Sequence, residues 1–232
     1  MDLLLLSNSS SDAGYLTHAR EWIAEALGGA ARAAFVPYAG VTISWDAYAD
    51  RVREALDGLG VEVVSVHEAT NPTGLVSEAD AVLVGGGNTF QLLRETYRMG
   101  LVELIRQRVH GGVPYVGWSA GSNLACPTIM TTNDMPVAEP PTFRALGLVP
   151  FQINPHFTDA HPPGHRGETR RQRLAEFVTA NPALPVVGLS EGTALRVGAG
   201  ETALLGAESA VLFDATSPDG RDVAASDLAS LL

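Results

Sequence analysis

The chain has 232 residues and is 46% hydrophobic and 18% charged, with a formal net charge of −11. That balance excludes a phosphate-gripping surface, which needs clustered cations, so nucleic acid is not an expected partner. No run reaches the roughly 18 apolar residues of a membrane span, and the opening Met1-Asp2-Leu3-Leu4-Leu5-Leu6 reads as a first strand rather than a secretory leader.

The length suits a single domain over residues 1–232. A lone cysteine, Cys126, rules out an intrachain disulfide and fits a cytoplasmic setting. All 15 basic residues are arginine. Lysine Schiff bases, Ser-Lys dyads and the P-loop lysine are therefore excluded, and a fixed cation that holds a substrate must be a planar arginine fork.

In chain order, apolar runs at 3–6, 33–36, 61–66, 81–84 and 113–116 read as buried strands. Helix-periodic segments at 16–27, 45–59 and 89–110 separate them, the last breaking near Gly100. Strand and helix in alternation imply right-handed crossovers and a mainly parallel sheet with helices on both faces. Residues 126–170 are polar and rich in Pro, a long loop of the kind that carries function, with a short strand at 151–154 and a helix from 168 to 179. Runs at 186–189, 194–197, 202–205 and 210–213 are spaced as an antiparallel meander on the sheet edge.

The most informative motif is Gly117-Trp118-Ser119-Ala120-Gly121, which follows an apolar strand and opens a helix-compatible stretch. A sharp strand-to-helix turn makes such a serine a nucleophile. Of six histidines, His156 in Asn154-Pro155-His156-Phe157 stands just past a strand end, where doubly wound sheets place their ligand sites. His18, His67 and His110 fit surface or packing roles. The acid that orients the base is Glu191, after the strand at 186–189, or else Asp134, in Thr131-Thr132-Asn133-Asp134.

Gly85-Gly86-Gly87-Asn88 lies between a strand and a helix. It matches neither a dinucleotide fingerprint nor a P-loop, and reads instead as an oxyanion hole in which Gly86 or Gly87 donates one N–H and Ala120 the other. Asn88 closes that turn and is a candidate substrate contact. Cys126 reads as a buried structural thiol. No metal-binding spacing is present; His156, His161 and His165 are close in sequence, but loop polarity explains them, and neither metal nor cofactor is expected.

Together with Leu3-Leu4-Leu5-Leu6-Ser7-Asn8-Ser9, Gly85 through Leu93, Thr131 through Pro136, Asn154 through Thr158 and Gly167-Glu168-Thr169-Arg170, the pentapeptide resembles the peptidase E family of alpha-aspartyl dipeptidases. The motifs stand in the family's order and span most of the chain, the tail beyond about Gly206 excepted. The resemblance implies a flavodoxin-like sheet related to class I glutamine amidotransferases. It also implies a serine peptidase with Ser119 as nucleophile, His156 as base and Glu191 as orienting acid, although Ser190 stands where a proline is expected. It further implies small Asp-Xaa peptide substrates, gripped by Arg170, with Asp134 a candidate for the free amine. The rival readings are a cyanophycin-cleaving relative, which would keep the triad but open the groove, and a binding or chaperone-like protein without a reactive hydroxyl.

Overall fold

The computed structural model describes residues 1–160, 164, 166–198, 201–207 and 209–232. The first strand, β1 (Asp2–Leu6), carries four fully buried leucines, as a strand covered on both faces must. A small hairpin of β2 (Ser10–Ser11) and β3 (Gly14–Tyr15) and a 3-10 turn lead into α1 (Arg20–Leu27). Next come β4 (Arg32–Val36), α2 (Trp45–Leu56), β5 (Glu62–Ser65), α3 (Pro72–Glu78) and β6 (Ala81–Val84). The half closes with α4 (Thr89–Arg98), α5 (Leu101–His110), β7 (Tyr115–Trp118) and α6 (Ala120–Ala125). The later elements are β8 (Gln152–Phe157), α7 (Arg170–Ala180), β9 (Val186–Ser190), β10 (Ala194–Gly198), β11 (Glu201–Leu205), β12 (Ala210–Asp214), β13 (Ser217–Val223) and α8 (Ala225–Ala229).

Local chemistry sets many of these ends. Ser44 caps α2 by accepting from the Ala47 N–H, and Asn71 caps α3 with Pro72 at its first position. Gly100, at φ 67°, separates α4 from α5 at the expected break.

The seven-stranded sheet has the order β11-β10-β1-β7-β6-β4-β5. Its central members pair in parallel, and β10 and β11 extend it antiparallel beyond β1. One face packs on α1 and α2 through Ile23, Val52 and Phe35. The other packs on α3 to α6 through Val76, Leu92, Ile105 and Leu124. The fold is thus the mainly parallel α/β class with a C-terminal antiparallel extension. No helix among the described residues is long and apolar enough to cross a membrane.

Four details differ from the sequence reading. The strand expected at 113–116 lies at Tyr115–Trp118, because Pro114 cannot donate to a ladder and its carbonyl instead accepts from Val82 N. The expected C-terminal meander divides. The β10–β11 hairpin joins the main sheet, while β9 and β12 enter a second sheet of order β13-β12-β9-β8, where β8 and β9 run parallel. The helix α3, only seven residues long, gave no periodic signal. Finally, His156 lies inside a longer β8 rather than just past a strand.

Candidate active site

Ser119 sits directly beyond β7 with φ 52° and ψ −111°, a region that L-residues rarely occupy. Holding it there costs about 1–3 kcal/mol, supplied by the surrounding packing. The turn is gripped from below: the Ser119 N–H donates to Leu6 O at the end of β1 over 3.1 Å. Gly121 permits the close approach behind it, since a methyl there would lie 2.2 Å from Val84 O of β6. Tyr115 Oη donates to Gly121 O at 2.7 Å and closes the motif on itself.

His156 reaches the serine because β8 is irregular. Its register against β9 shifts between Asn154 and Phe157, and His156 there takes φ 55°. Such a bulge re-aims a side chain. The His156 N–H donates to Ser7 Oγ at 2.8 Å, and Ser7 Oγ donates to Leu189 O of β9 at 2.8 Å, so one buried hydroxyl pins the bulge.

His156 Nε2 lies 2.9 Å from Ser119 Oγ and Nδ1 lies 2.7 Å from Glu191 Oε1. A carboxylate at Nδ1 selects the tautomer that leaves Nε2 free to accept the serine proton. Glu191 follows β9 and is 66% exposed, so its pair with His156 orients the ring in a hydrated setting rather than stabilising a buried charge. Its loop is fixed by Gly192 N, which donates to Asn8 Oδ1 at 2.7 Å. Of the two candidate acids, the structure brings Glu191, not Asp134, to the imidazole.

On the other side of Ser119 the glycine turn follows β6. Tyr48 Oη, on α2, donates to Gly86 O at 3.0 Å and itself receives Trp118 Nε1 at 3.0 Å. Burial raises the Tyr48 pKa well above its ordinary value, so the phenol keeps the proton it donates. In a trans peptide the carbonyl and the following N–H point in opposite directions, so anchoring Gly86 O turns the Gly87 N–H away from Tyr48. The N–H groups of Gly86 and Gly87 have no acceptor among the described residues. Ala120, the first residue of α6, has no carbonyl available within its helix. Gly87 is held at φ 133°, and a methyl on it would come within 2.3 Å of Ala39 O.

Arg170 opens α7 beside the histidine. Its Nη1 lies 3.4 Å from His156 O and 3.5 Å from Asn154 Oδ1, and it has no ion pair among the described residues. Burial first, and then the Arg173 charge, lower its pKa. A guanidinium remains charged under such pressure, and a carboxylate ligand relieves it.

Asn88 and Asp134 have other contacts. Asn88 caps α4 by accepting from Gln91 N at 3.0 Å and donates to Met135 O at 2.8 Å. Asp134 Oδ2 accepts from Thr89 N at 2.8 Å, Thr89 Oγ1 at 2.6 Å and Thr132 Oγ1 at 3.0 Å. No hydrogen bond among the described residues joins either to Ser119 or His156. They moor the 131–135 segment to α4, while Asn133 and Asn154 tie it to β8 through bonds of 2.8 Å to Pro155 O and between their own amides.

Cys126 is fully buried, and burial pushes its thiol up to about 12. His161 and His165 lie outside the described residues. Asp46, His67 and Glu68 form a metal-compatible group away from Ser119, but Glu68 is paired with Arg53. Sequence reasoning assigned no role to Ser7, Asn8 or Tyr48. The first two lay in a quoted motif, and a polar pair directly after an all-leucine strand was their signal. Tyr48 has none, since on sequence it is one more apolar position of a helix.

The family model for peptidase family S51 matches residues 3–205. Peptidase E of Shewanella amazonensis is 47% identical over 99% of this chain and 98% of its own length. Peptidase E of Salmonella typhimurium is 50% identical over 93% of this chain and 94% of its own. A solved peptidase from an acI-B1 Actinobacterium superposes with a TM-score of 0.67 at 17% identity, covering 97% of this chain and 94% of that one, which shows the shared fold. With most of its length matched by the family model and by relatives near half identity, the chain belongs to peptidase family S51.

Proposed function

We propose that the protein is a serine peptidase that hydrolyses dipeptides with an N-terminal aspartate through an acyl-enzyme. Peptide hydrolysis is the family's chemistry. The observation that carries the finer reading is His156, bridging Ser119 Oγ at 2.9 Å and Glu191 Oε1 at 2.7 Å with the unpaired Arg170 against its own carbonyl. This supports a reading in which Ser119 is the nucleophile, His156 the base and Arg170 the carboxylate receptor beside the β8 bulge.

In this mechanism His156 Nε2 takes the Ser119 proton as Oγ bonds to the aspartyl carbonyl carbon. The oxyanion receives the N–H groups of Gly87 and Ala120; losing one such donor costs about 3 kcal/mol of transition-state stabilisation. His156 returns the proton to the leaving nitrogen as the C–N bond breaks. Water then attacks the ester by the same proton route in reverse, releasing aspartate and restoring Ser119. Arg170 binds the aspartate side chain in a two-pronged grip, which explains an arginine left without a carboxylate in a chain with 26 acidic residues.

The test is a panel of Xaa-Leu and Asp-Xaa dipeptides against the purified enzyme and its Arg170→Ala variant. Asp-Xaa should dominate, and the variant should lose about 100-fold or more in kcat/KM on Asp-Xaa while losing far less on Asn-Xaa. Equal losses, or no preference for aspartate, would exclude the reading.

A further inference from the structure

A second arginine lines a cavity that reaches Gly86 and Gly87, the glycine turn beside the same serine, from the opposite face of the sheet. Arg51 lies on α2, which packs with Tyr48 and Val52 against the face carrying Trp118. His156 and Arg170 come from elements beyond the other face, where Ile153 of β8 joins the core of Leu92 and Leu124. The Arg51 guanidinium carbon stands 4.2 Å above the Tyr15 ring, an arrangement that orients the cation without neutralising it. Arg51 has neither an ion pair nor a hydrogen bond among the described residues.

It lines a cavity of about 470 Å³ that also touches Ser9, Ile43, Val41, Gly86 and Gly87. That volume lies within the range of small-ligand pockets. The cavity therefore combines a free cation, an apolar wall and the glycine turn that faces the reacting carbonyl.

We propose that this cavity receives the leaving residue of the substrate and that Arg51 binds its free α-carboxylate. The inference rests on the aspartyl-dipeptide reading. With the aspartate side chain drawn to Arg170 and the carbonyl oxygen to Gly87 and Ala120, the residue after the scissile bond extends away from Arg170, across the glycine turn, toward Arg51. A C-terminal carboxylate one residue beyond the bond meets the cation. In a longer peptide a neutral amide bond stands at that point. Arg51 then makes the selection for dipeptides by charge, and the apolar wall of Val41 and Ile43 suits an aliphatic leaving residue.

The experiment compares aspartyl-leucine with aspartyl-leucinamide, which differ in that one charge. The wild-type enzyme should favour the acid in kcat/KM by about tenfold, chiefly through KM, as expected for one charge-assisted bond at a hydrated site. In Arg51→Gln the acid-to-amide ratio should fall to near one, and Arg51→Lys should restore part of it, with the melting temperature of both variants close to wild type. A wild-type ratio near one, or a ratio unchanged in Arg51→Gln, overturns the subsite. The two levels separate cleanly. If another N-terminal residue proves preferred, the aspartyl reading falls, and the same acid-to-amide ratio measured on that dipeptide still decides Arg51.

Discussion

Two Ser-His-acid chains of similar length stand among the described residues, and they differ in whether their surroundings suit a catalyst. In the first, Ser119 meets His156 at 2.9 Å and His156 meets Glu191 at 2.7 Å. In the second, Ser65 at the end of β5 meets His67 Nδ1 at 2.7 Å, and His67 Nε2 meets Asp46 at 2.9 Å. Both serines lie at carboxyl ends of strands in the same sheet. Yet Ser65 is fully buried in ordinary strand geometry, and the amide that follows it, Val66 N, is spent on Phe35 O at 2.9 Å. Ser119 is half-buried on a positive-φ turn, and the Ala120 amide that follows it has no helical acceptor. Distances among three side chains therefore do not define a nucleophile; access and unspent N–H groups do.

The sharpest test substitutes the two serines in parallel. Ser119→Ala should cut kcat by about 10⁵-fold or more, whereas Ser65→Ala should leave it within about twofold and lower stability by about 1 kcal/mol through its lost hydrogen bond. A fluorophosphonate probe followed by peptide mapping should label Ser119 alone; label on Ser65 would defeat the access argument.

The acids come next. Glu191→Gln should lower kcat about 100-fold, less than loss of a fully buried triad acid because 66% exposure lets water substitute in part, while Asp46→Asn should not change turnover. A smaller effect is expected from Tyr48→Phe, which frees Gly86 O. A kcat loss of about tenfold with KM little changed would show that the phenol sets the Gly87 donor, and a loss in KM alone would refute that; the melting temperature should fall as well, because the buried Trp118 Nε1 loses its acceptor.

The smallest expected signal concerns Cys126, whose thiol is pushed up to about 12 by burial. Native protein should not react with a thiol reagent at pH 8, and denatured protein should react fully.

Much of the parallel sheet was legible because its strands are continuous apolar runs between periodic helices, as in 33–36 and 81–84. The split of the C-terminal strands was not, since 186–189, 194–197 and 210–213 look alike in composition, and only long-range pairing decides which sheet each joins. Ser119 and Glu191 were visible through motif and position at strand ends, whereas His156 was visible through its motif alone, since it lies inside β8. The bulge that turns His156 toward Ser119 was not, because nothing in Asn-Pro-His-Phe encodes a register shift that arises from pairing with Ser190. Asn88 and Asp134 were read for chemistry, while their contacts moor a loop; capping and substrate binding draw on the same residue types.

Ser7 and Asn8, at the end of β1, hold the backbone of His156 and the amide beside Glu191 across separations of 149 and 184 residues. The order of synthesis follows from this. A nascent chain that has produced everything up to α6 already contains Ser119 on the ribosome, but it lacks His156 and Glu191, and the clamp waits empty at its first strand. Competence arrives only when the last third of the chain folds back onto the first eight residues. On the proposed mechanism, recovery of turnover after dilution from denaturant should report the final closure of the molecule rather than formation of its sheet.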